Sequence, residues 1–232
     1  EGKTPSEKVA RALLEEVLLT TNNKKSAIVI ATFSSHIARI KSIVDFAKKL
    51  NRRVYLVGRS LKKYVSSAID VNMCPFKNDV KIASYKNQVE STLKKVNKER
   101  VNSLLVVTGH QGEPGSVLDR ISREKLPFKL RADDHVIFAS KTIPSPINIA
   151  NREHLGKRLK KDRVRIFDNI HVSGHAGRED IKDLLSIIHP ENIIPAHGTI
   201  EQLSPMIELA KEIGYRTGKE CHLMHDGHRL RL

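Results

Sequence analysis

The chain has 232 residues, 39% hydrophobic and 29% charged, which is enough for one large domain or two small ones around a real core. Lysine and arginine number 41 against 26 acidic residues, a formal net charge of +15. That balance points to a polyanionic partner, nucleic acid being the commonest, against the alternative of a basic surface that serves solubility alone.

No apolar run reaches the roughly 18 residues of a membrane-spanning helix, so no membrane partner is expected. Cys74 and Cys221 lie far apart and in no CxxC context, which reads as two reduced, buried thiols in a cytoplasmic protein. The start, Glu1-Gly2-Lys3-Thr4-Pro5, lacks an initiator Met and the charged and apolar regions of a signal peptide, and reads as a cut end.

Thr4-Pro5-Ser6-Glu7 predicts a helix start, with Thr4 as N-cap, Pro5 in the first helical position and Glu7 closing a capping box. The helix that follows carries Val9, Leu13, Val17 and Leu18 on one side. Ala27-Ile28-Val29-Ile30-Ala31 is a continuous apolar run, the mark of a strand buried on both faces. From there strand and helix alternate. A helix is expected from His36 to Leu50, a strand at Val54–Gly58 and a helix over 60–69. Residues 71–88 are hard to read, with a short strand possible at Val80–Ile82. A helix over 89–98 and a buried strand at Ser103–Thr108 follow.

The glycine-rich turn Gly109–Gly115 opens a helix at about 116–123, and Asp134–Ala139 is a further strand. A helix runs from Pro146 to about Leu159 with a basic end, and Val164–Phe167 begins a new unit. This order predicts an α/β fold with a mostly parallel sheet flanked by helices. The Lys/Arg cluster at 155–163 marks the expected connector, and the short tail after it is too thin to stand without a partner.

Two loops in that tail concentrate chemistry. His197 follows the strand-like run Asn192–Ala196 and precedes Gly198, so its imidazole is free at a strand end, a placement that suits zinc or manganese. A polar strand-end residue or a satisfied core histidine is the alternative. His171-Val172-Ser173-Gly174-His175 puts two imidazoles, a hydroxyl and a glycine amide within five residues. Such a loop can hold phosphate oxygens while His175 gives a proton to a leaving oxygen, or it can simply cap the helix that starts near Arg178.

Earlier in the chain, Thr32-Phe33-Ser34-Ser35-His36 joins a buried strand to a helix and offers an anion site through its amides and Ser34 or Ser35, or a plain N-cap. In Gly109–Gly115, Gln111 and His110 can orient a sugar or phosphate, or the segment is a tight turn; it lacks the lysine of a Walker loop. Lys141, Arg152, Lys157, Arg158, Lys160, Lys161 and Arg163 can line a backbone-tracking channel or be ordinary surface. With no Trp and 4% aromatics, base stacking is sparse.

SGHA and PAHG, separated by one helix, make the chain resemble the β-CASP branch of the metallo-β-lactamase superfamily. Thr32–Arg39, Thr108–Pro114, Lys141–Pro144 and His171–His175 narrow the resemblance to the ribonuclease J family in its archaeal form, over essentially the whole chain. The resemblance implies a β-CASP domain over 1–160 and the C-terminal part of a metallo-β-lactamase αββα domain over 161–232. It implies a metal-dependent ribonuclease, cutting from the 5′ end with possible internal cleavage. Two zinc ions are implied, manganese or magnesium being possible, with single-stranded 5′-monophosphorylated RNA as substrate and a homodimer or larger homo-oligomer as the assembly.

Residue by residue, the resemblance implies His175 as the catalytic histidine near the scissile phosphate and His197 as a ligand of the second metal. His171, Val172, Ser173, Gly174 and His175 then fall in the substrate loop, with Ser34, Ser35 and His36 facing the RNA cleft. The family's main metal motif, HxHxDH, is absent from all eleven histidines, so the chain alone is expected neither to hold a metal pair nor to cut RNA. Two other classes remain open: a non-catalytic RNA-binding or assembly module, and a related hydrolase acting on DNA or small esters.

Overall fold

The structure is a computed structural model that describes residues 2–231. The chain divides into two compact units, Pro5–Val172 and residues 2–4 with 173–231.

The first unit is built on a six-stranded sheet in the order β3-β2-β4-β1-β5-β6, with every pairing parallel. Its strands are β1 (Ile28–Ala31), β2 (Arg53–Val57), β3 (Val80–Ala83), β4 (Ser103–Val107), β5 (His135–Phe138) and β6 (Arg165–Phe167). The central strands β1, β4 and β5 are buried at every position, as continuous apolar runs require when helices cover both faces.

Helices α1 (Glu7–Thr20), α2 (Ile37–Lys49) and α3 (Arg59–Asp70) supply one core, where Leu14, Ile43, Phe46 and Leu61 meet Ile28, Ile30 and Leu56. Helices α4 (Lys86–Lys98), α5 (Val117–Ser122) and α6 (Pro146–Lys161) supply the other, where Leu93, Leu118 and Leu155 meet Val29, Tyr55 and Val107. All strand C-termini therefore open on one edge. The opposite edge is tied by buried charges: Arg100 reaches Asp134 at 2.5 Å, and Arg52 donates to the carbonyls of Ser26 and Ser103.

Two expectations about α1 are corrected. Helix α1 starts at Glu7, with Ser6 in the cap position and no side-chain cap. Thr4 bonds instead to Asp180 and to the carbonyl of His175, and the Glu7 carboxylate is taken by Arg39. The buried stripe of α1 is Ala10, Leu14 and Leu18, which leaves Val9 45% exposed. Residues 165–167 pair with β5 as β6, and the compact units part at Val172/Ser173.

The second unit has two helices, α7 (Arg178–Ile188) and α8 (Ile200–Glu212), around a small core of Leu185, Ile193, Ile207, Ala210 and Cys221. The run 192–196, expected as a strand, forms an isolated bridge from Ile193 to Cys221 among the described residues. Leu184, Ile187 and Ile188 on α7 and Ile194 are exposed. Both cysteines are free and buried, as the sequence suggested.

Candidate functional site

In the sheet unit, β1 and β4 lie side by side but lead to helices on opposite faces, α2 and α5. Their outgoing loops diverge there, at the strand C-termini, the usual ligand position in an open parallel sheet. Phe33, at the end of β1, stands edge-on to His110 from the β4 loop at 4.2 Å and lies 6.4 Å from the ring of His171. His110 Nε2 and His171 Nδ1 are buried without a hydrogen-bond partner among the described residues. Both imidazoles are held below their ordinary pKa. Burial is the main cause; His171 adds to it for His110, and Arg39, His36 and Lys141 add to it for His171. They are therefore neutral near pH 7, each with one N–H to give and one lone pair to accept.

His36 caps α2, its Nδ1 accepting from the N–H of Arg39 at 3.1 Å, so the N-cap falls on His36 rather than on Ser34 or Ser35. Ser34 shares a 2.9 Å hydrogen bond with Ser60, while the Ser35 side chain is exposed and makes no hydrogen bond among the described residues. Of the expected anion loop, Ser35 is thus the hydroxyl still free for a ligand.

Sequence reading assigned no role to Arg39. It is 1% exposed and lies on the same helical stripe as Ile43 and Phe46, and that position was the available signal. Its guanidinium binds Glu7 through two hydrogen bonds of 2.5 and 2.7 Å and donates to the carbonyls of Ala139 (2.7 Å) and Ile170 (3.1 Å). Arg39 thereby fixes the segment that delivers His171. Burial works to raise the Glu7 carboxyl, but the hydrogen bonds and charge of Arg39, with His36 and His171, hold it below its ordinary value.

Within the glycine-rich turn, Gln111 and Gly112 hold structure. Gln111 is buried and spends its amide on Lys141 O (3.1 Å) and Ile143 N–H (2.8 Å). Gly112 has φ +75°, and a Cβ there would lie 2.5 Å from the carbonyl oxygen of Asn151. Of the basic residues, Lys141, Arg152, Lys157 and Lys160 do line a common cavity of about 780 Å³, together with Ser140 and Asp168. Arg158 turns away to Asp119 at 2.6 Å.

In the second unit, Gly177 precedes α7, and the Asp180 carboxylate accepts from the N–H groups of Gly177 (2.9 Å) and Thr4 (2.8 Å). The Thr4 hydroxyl in turn donates to His175 O at 2.7 Å, and Ser173 Oγ accepts from His175 N–H at 3.1 Å. On the other loop, His197 sits in the left-handed region at φ +70°, between the Ile193 bridge and the Thr199–Gln202 capping box that starts α8.

The two loops bring the rings of His175 and His197 to 6.2 Å, near parallel at 13°, both exposed and neither ring hydrogen-bonded among the described residues. His222 is elsewhere engaged, its Nε2 lying 2.9 Å from Asn192 Oδ1. Among the described residues no three potential metal donors converge. A catalytic zinc takes three protein ligands, so His197 with His175 nearby does not make a metal site from these residues alone.

Comparison with known proteins places this geometry. The family described as "Ribonuclease J, beta-CASP domain" matches residues 25–155, more than half of the chain. A second, "Zn-dependent metallo-hydrolase RNA specificity domain", matches residues 163–224. Among similar proteins, ribonuclease J of Methanocaldococcus jannaschii is 45% identical over 98% of this chain and 51% of its own length. Ribonuclease J of Pyrococcus abyssi is 41% identical over 98% and 50%, and that of Helicobacter pylori strain 26695 is 30% identical over 100% and 32%. The chain spans about half the length of the two more similar of these relatives. With a β-CASP match across five of the six sheet strands and a metallo-hydrolase match across the two histidine loops, the chain belongs to the ribonuclease J family.

Proposed function

We propose that this chain is the RNA-recognising part of a metal-dependent ribonuclease that hydrolyses phosphodiesters of single-stranded, 5′-monophosphorylated RNA, working from the 5′ end with some internal cleavage. The observation that carries it is the pair His175 and His197, set 6.2 Å apart on two loops of one unit with open ring edges. In this reading His175 gives a proton to the leaving oxygen, and His197 is one imidazole of a dinuclear zinc centre, with manganese or magnesium as alternatives. The metals would supply Lewis-acid chemistry, and among the described residues no group of three donors converges to hold them.

His171, Val172, Ser173 and Gly174 bind substrate, as do Ser34, Ser35 and His36. The unpartnered His171 Nδ1 and the free Ser35 hydroxyl support those two positions most directly. A domain division near residue 160 belongs to the same proposal, supported by family matches that end at 155 and resume at 163. The exposed Leu184, Ile187 and Ile188 support a second unit that completes a larger metallo-hydrolase domain. A cytoplasmic homo-oligomer is the setting this implies.

The shortage of metal donors favours one further reading for the chain by itself, that of an RNA-binding module without turnover. Incubating the 232-residue chain with zinc or manganese and 5′-labelled RNA tests both. Salt-sensitive RNA binding with no product above background is expected. Turnover well above background refutes the division of labour proposed here, and equal binding and cleavage of single-stranded DNA refutes RNA as the substrate.

A further inference from the structure

The sheet edge that carries the Phe33, His110 and His171 rings also holds a cavity, on the β4–β2–β3 side. It measures about 580 Å³, within the roughly 300–1,000 Å³ range of small-ligand pockets. Gly58, Ser84 and Thr108, each immediately after its strand, form the floor. Gly58 has φ +142°, and a Cβ there would meet Thr108 Cγ2 at 2.7 Å, so only glycine keeps this floor open.

We infer that this cavity is a second phosphate site, one that takes the phosphate of a nucleotide. Three cations, Arg59, Lys86 and Arg120, line it, and none forms an ion pair among the described residues. The first turn of α3 opens into it at Arg59 and Ser60, with no side chain capping that twelve-residue helix, so its leading N–H groups are left for an anion. A separate observation also points to a ligand. The Ser84 hydroxyl is buried, its residue 8% exposed, and has no hydrogen-bond partner among the described residues although Ser84 forms part of the wall. A buried hydroxyl left unpaired is costly, and a phosphate oxygen would satisfy it.

The one carboxylate in the lining, Glu113, is occupied: it accepts from the Gln111 N–H at 3.0 Å and lies 3.7 Å from His110 Nδ1. At the mouth Tyr85 is 63% exposed, with Lys62 Nζ 4.5 Å from the ring centroid. An exposed ring beside a cationic pocket suits a nucleotide better than bare phosphate, because a base can stack where the phosphate is held. Ser60 joins this cavity to the Ser34 loop through their 2.9 Å hydrogen bond, so the two clusters share a wall. The site depends on the proposed function only in taking RNA as the source of the nucleotide; its anion chemistry does not.

An amide-resolved NMR titration tests it, with adenosine 5′-monophosphate, a 5′-hydroxyl RNA hexamer and inorganic phosphate as probes. The amides of Arg59, Ser60 and Lys86 are expected to shift with the nucleotide. The double variant Arg59→Ala, Arg120→Ala is expected to bind at least tenfold more weakly. Tyr85→Ala is expected to weaken the nucleotide and spare inorganic phosphate. A response to the free nucleotide alone upholds the site and removes RNA as its source; a response to the hexamer upholds both. Shifts confined to residues 32–36, 110 and 171, or unchanged affinity in the double variant, overturn the site and leave the proposed function standing.

Discussion

Arg39 shows how one buried charge can position a ligand loop. Its guanidinium is 1% exposed and holds Glu7, Ala139 O and Ile170 O together. Removing one partner of such a pair strands the other and typically costs about 3–5 kcal/mol. Because Glu7 is 30% exposed, the lower end applies here. Arg39→Ala is expected to lower unfolding stability by about 3 kcal/mol, and Arg39→Lys to recover little of it, since lysine lacks the planar fork. Urea unfolding of the three proteins checks this, and full rescue by lysine would show that charge alone suffices.

His135 gives a pH signature. It is 0% exposed with both ring nitrogens unpartnered among the described residues, and burial, followed by the charges of Arg165 and Arg52, lowers its pKa from 6.5 to about 4. The unfolded chain takes up a proton near pH 6.5 and the folded chain does so only near 4. Stability is therefore present above 6.5 and is lost as pH falls through that window, by up to about 3 kcal/mol. His135→Leu is expected to flatten that part of the stability–pH curve between pH 7 and 4.5; an unchanged slope would place the acid sensitivity elsewhere.

Among the elements, the glycine turn after β4 separates contact from conformation. Gly112 and Gly115 both have positive φ, +75° and +79°, but only Gly112 faces backbone, 2.5 Å from Asn151 O on α6, while Gly115 faces open space. Left-handed strain alone costs about 1 kcal/mol. Gly115→Ala is expected to lose about that much, and Gly112→Ala at least about 2 kcal/mol because α6 must also shift. Equal urea midpoints for the two would contradict the contact.

The same scale shows what the sequence made legible. The strands β1, β4 and β5 were readable because continuous apolar runs bounded by polar turns have few other uses in a chain that alternates with helices. The Gly109–Gly115 turn was readable as a turn, but not the fate of Gln111, whose partners lie 30 and 32 residues away. The strand expected at 192–196 reduced to a bridge because apolar content alone does not supply a ladder partner. Helix α1 was legible as a helix, but its cap was not: Thr4 and Glu7 are claimed by Asp180 and Arg39, 176 and 32 residues away. His175 and His197 were singled out from loop chemistry, and their approach to 6.2 Å is a property of the folded unit.

For the whole molecule, the charge of +15 sets the mode of the RNA binding proposed above. Neutralised phosphates release counterions, so affinity should fall at least about tenfold between 50 and 200 mM salt. Filter binding across that range checks it; a flat salt response would remove the polyanion from the account. Among the described residues the second unit's core cluster has five buried hydrophobic residues, against three exposed on α7 alone. An excised segment 173–232 is expected to show no cooperative thermal transition, and a sharp two-state melt by circular dichroism would show it to be self-sufficient.

The most direct test of the ribonuclease assignment is the rate of 5′-phosphorylated RNA hydrolysis by the protein extended to the length of its relatives, with His175→Ala and His197→Ala compared to wild type. Each substitution is expected to reduce turnover by about a hundredfold or more, the scale of a lost general acid or metal ligand, with circular dichroism unchanged. Wild-type turnover in either variant would contradict the assignment of these two imidazoles to the reaction.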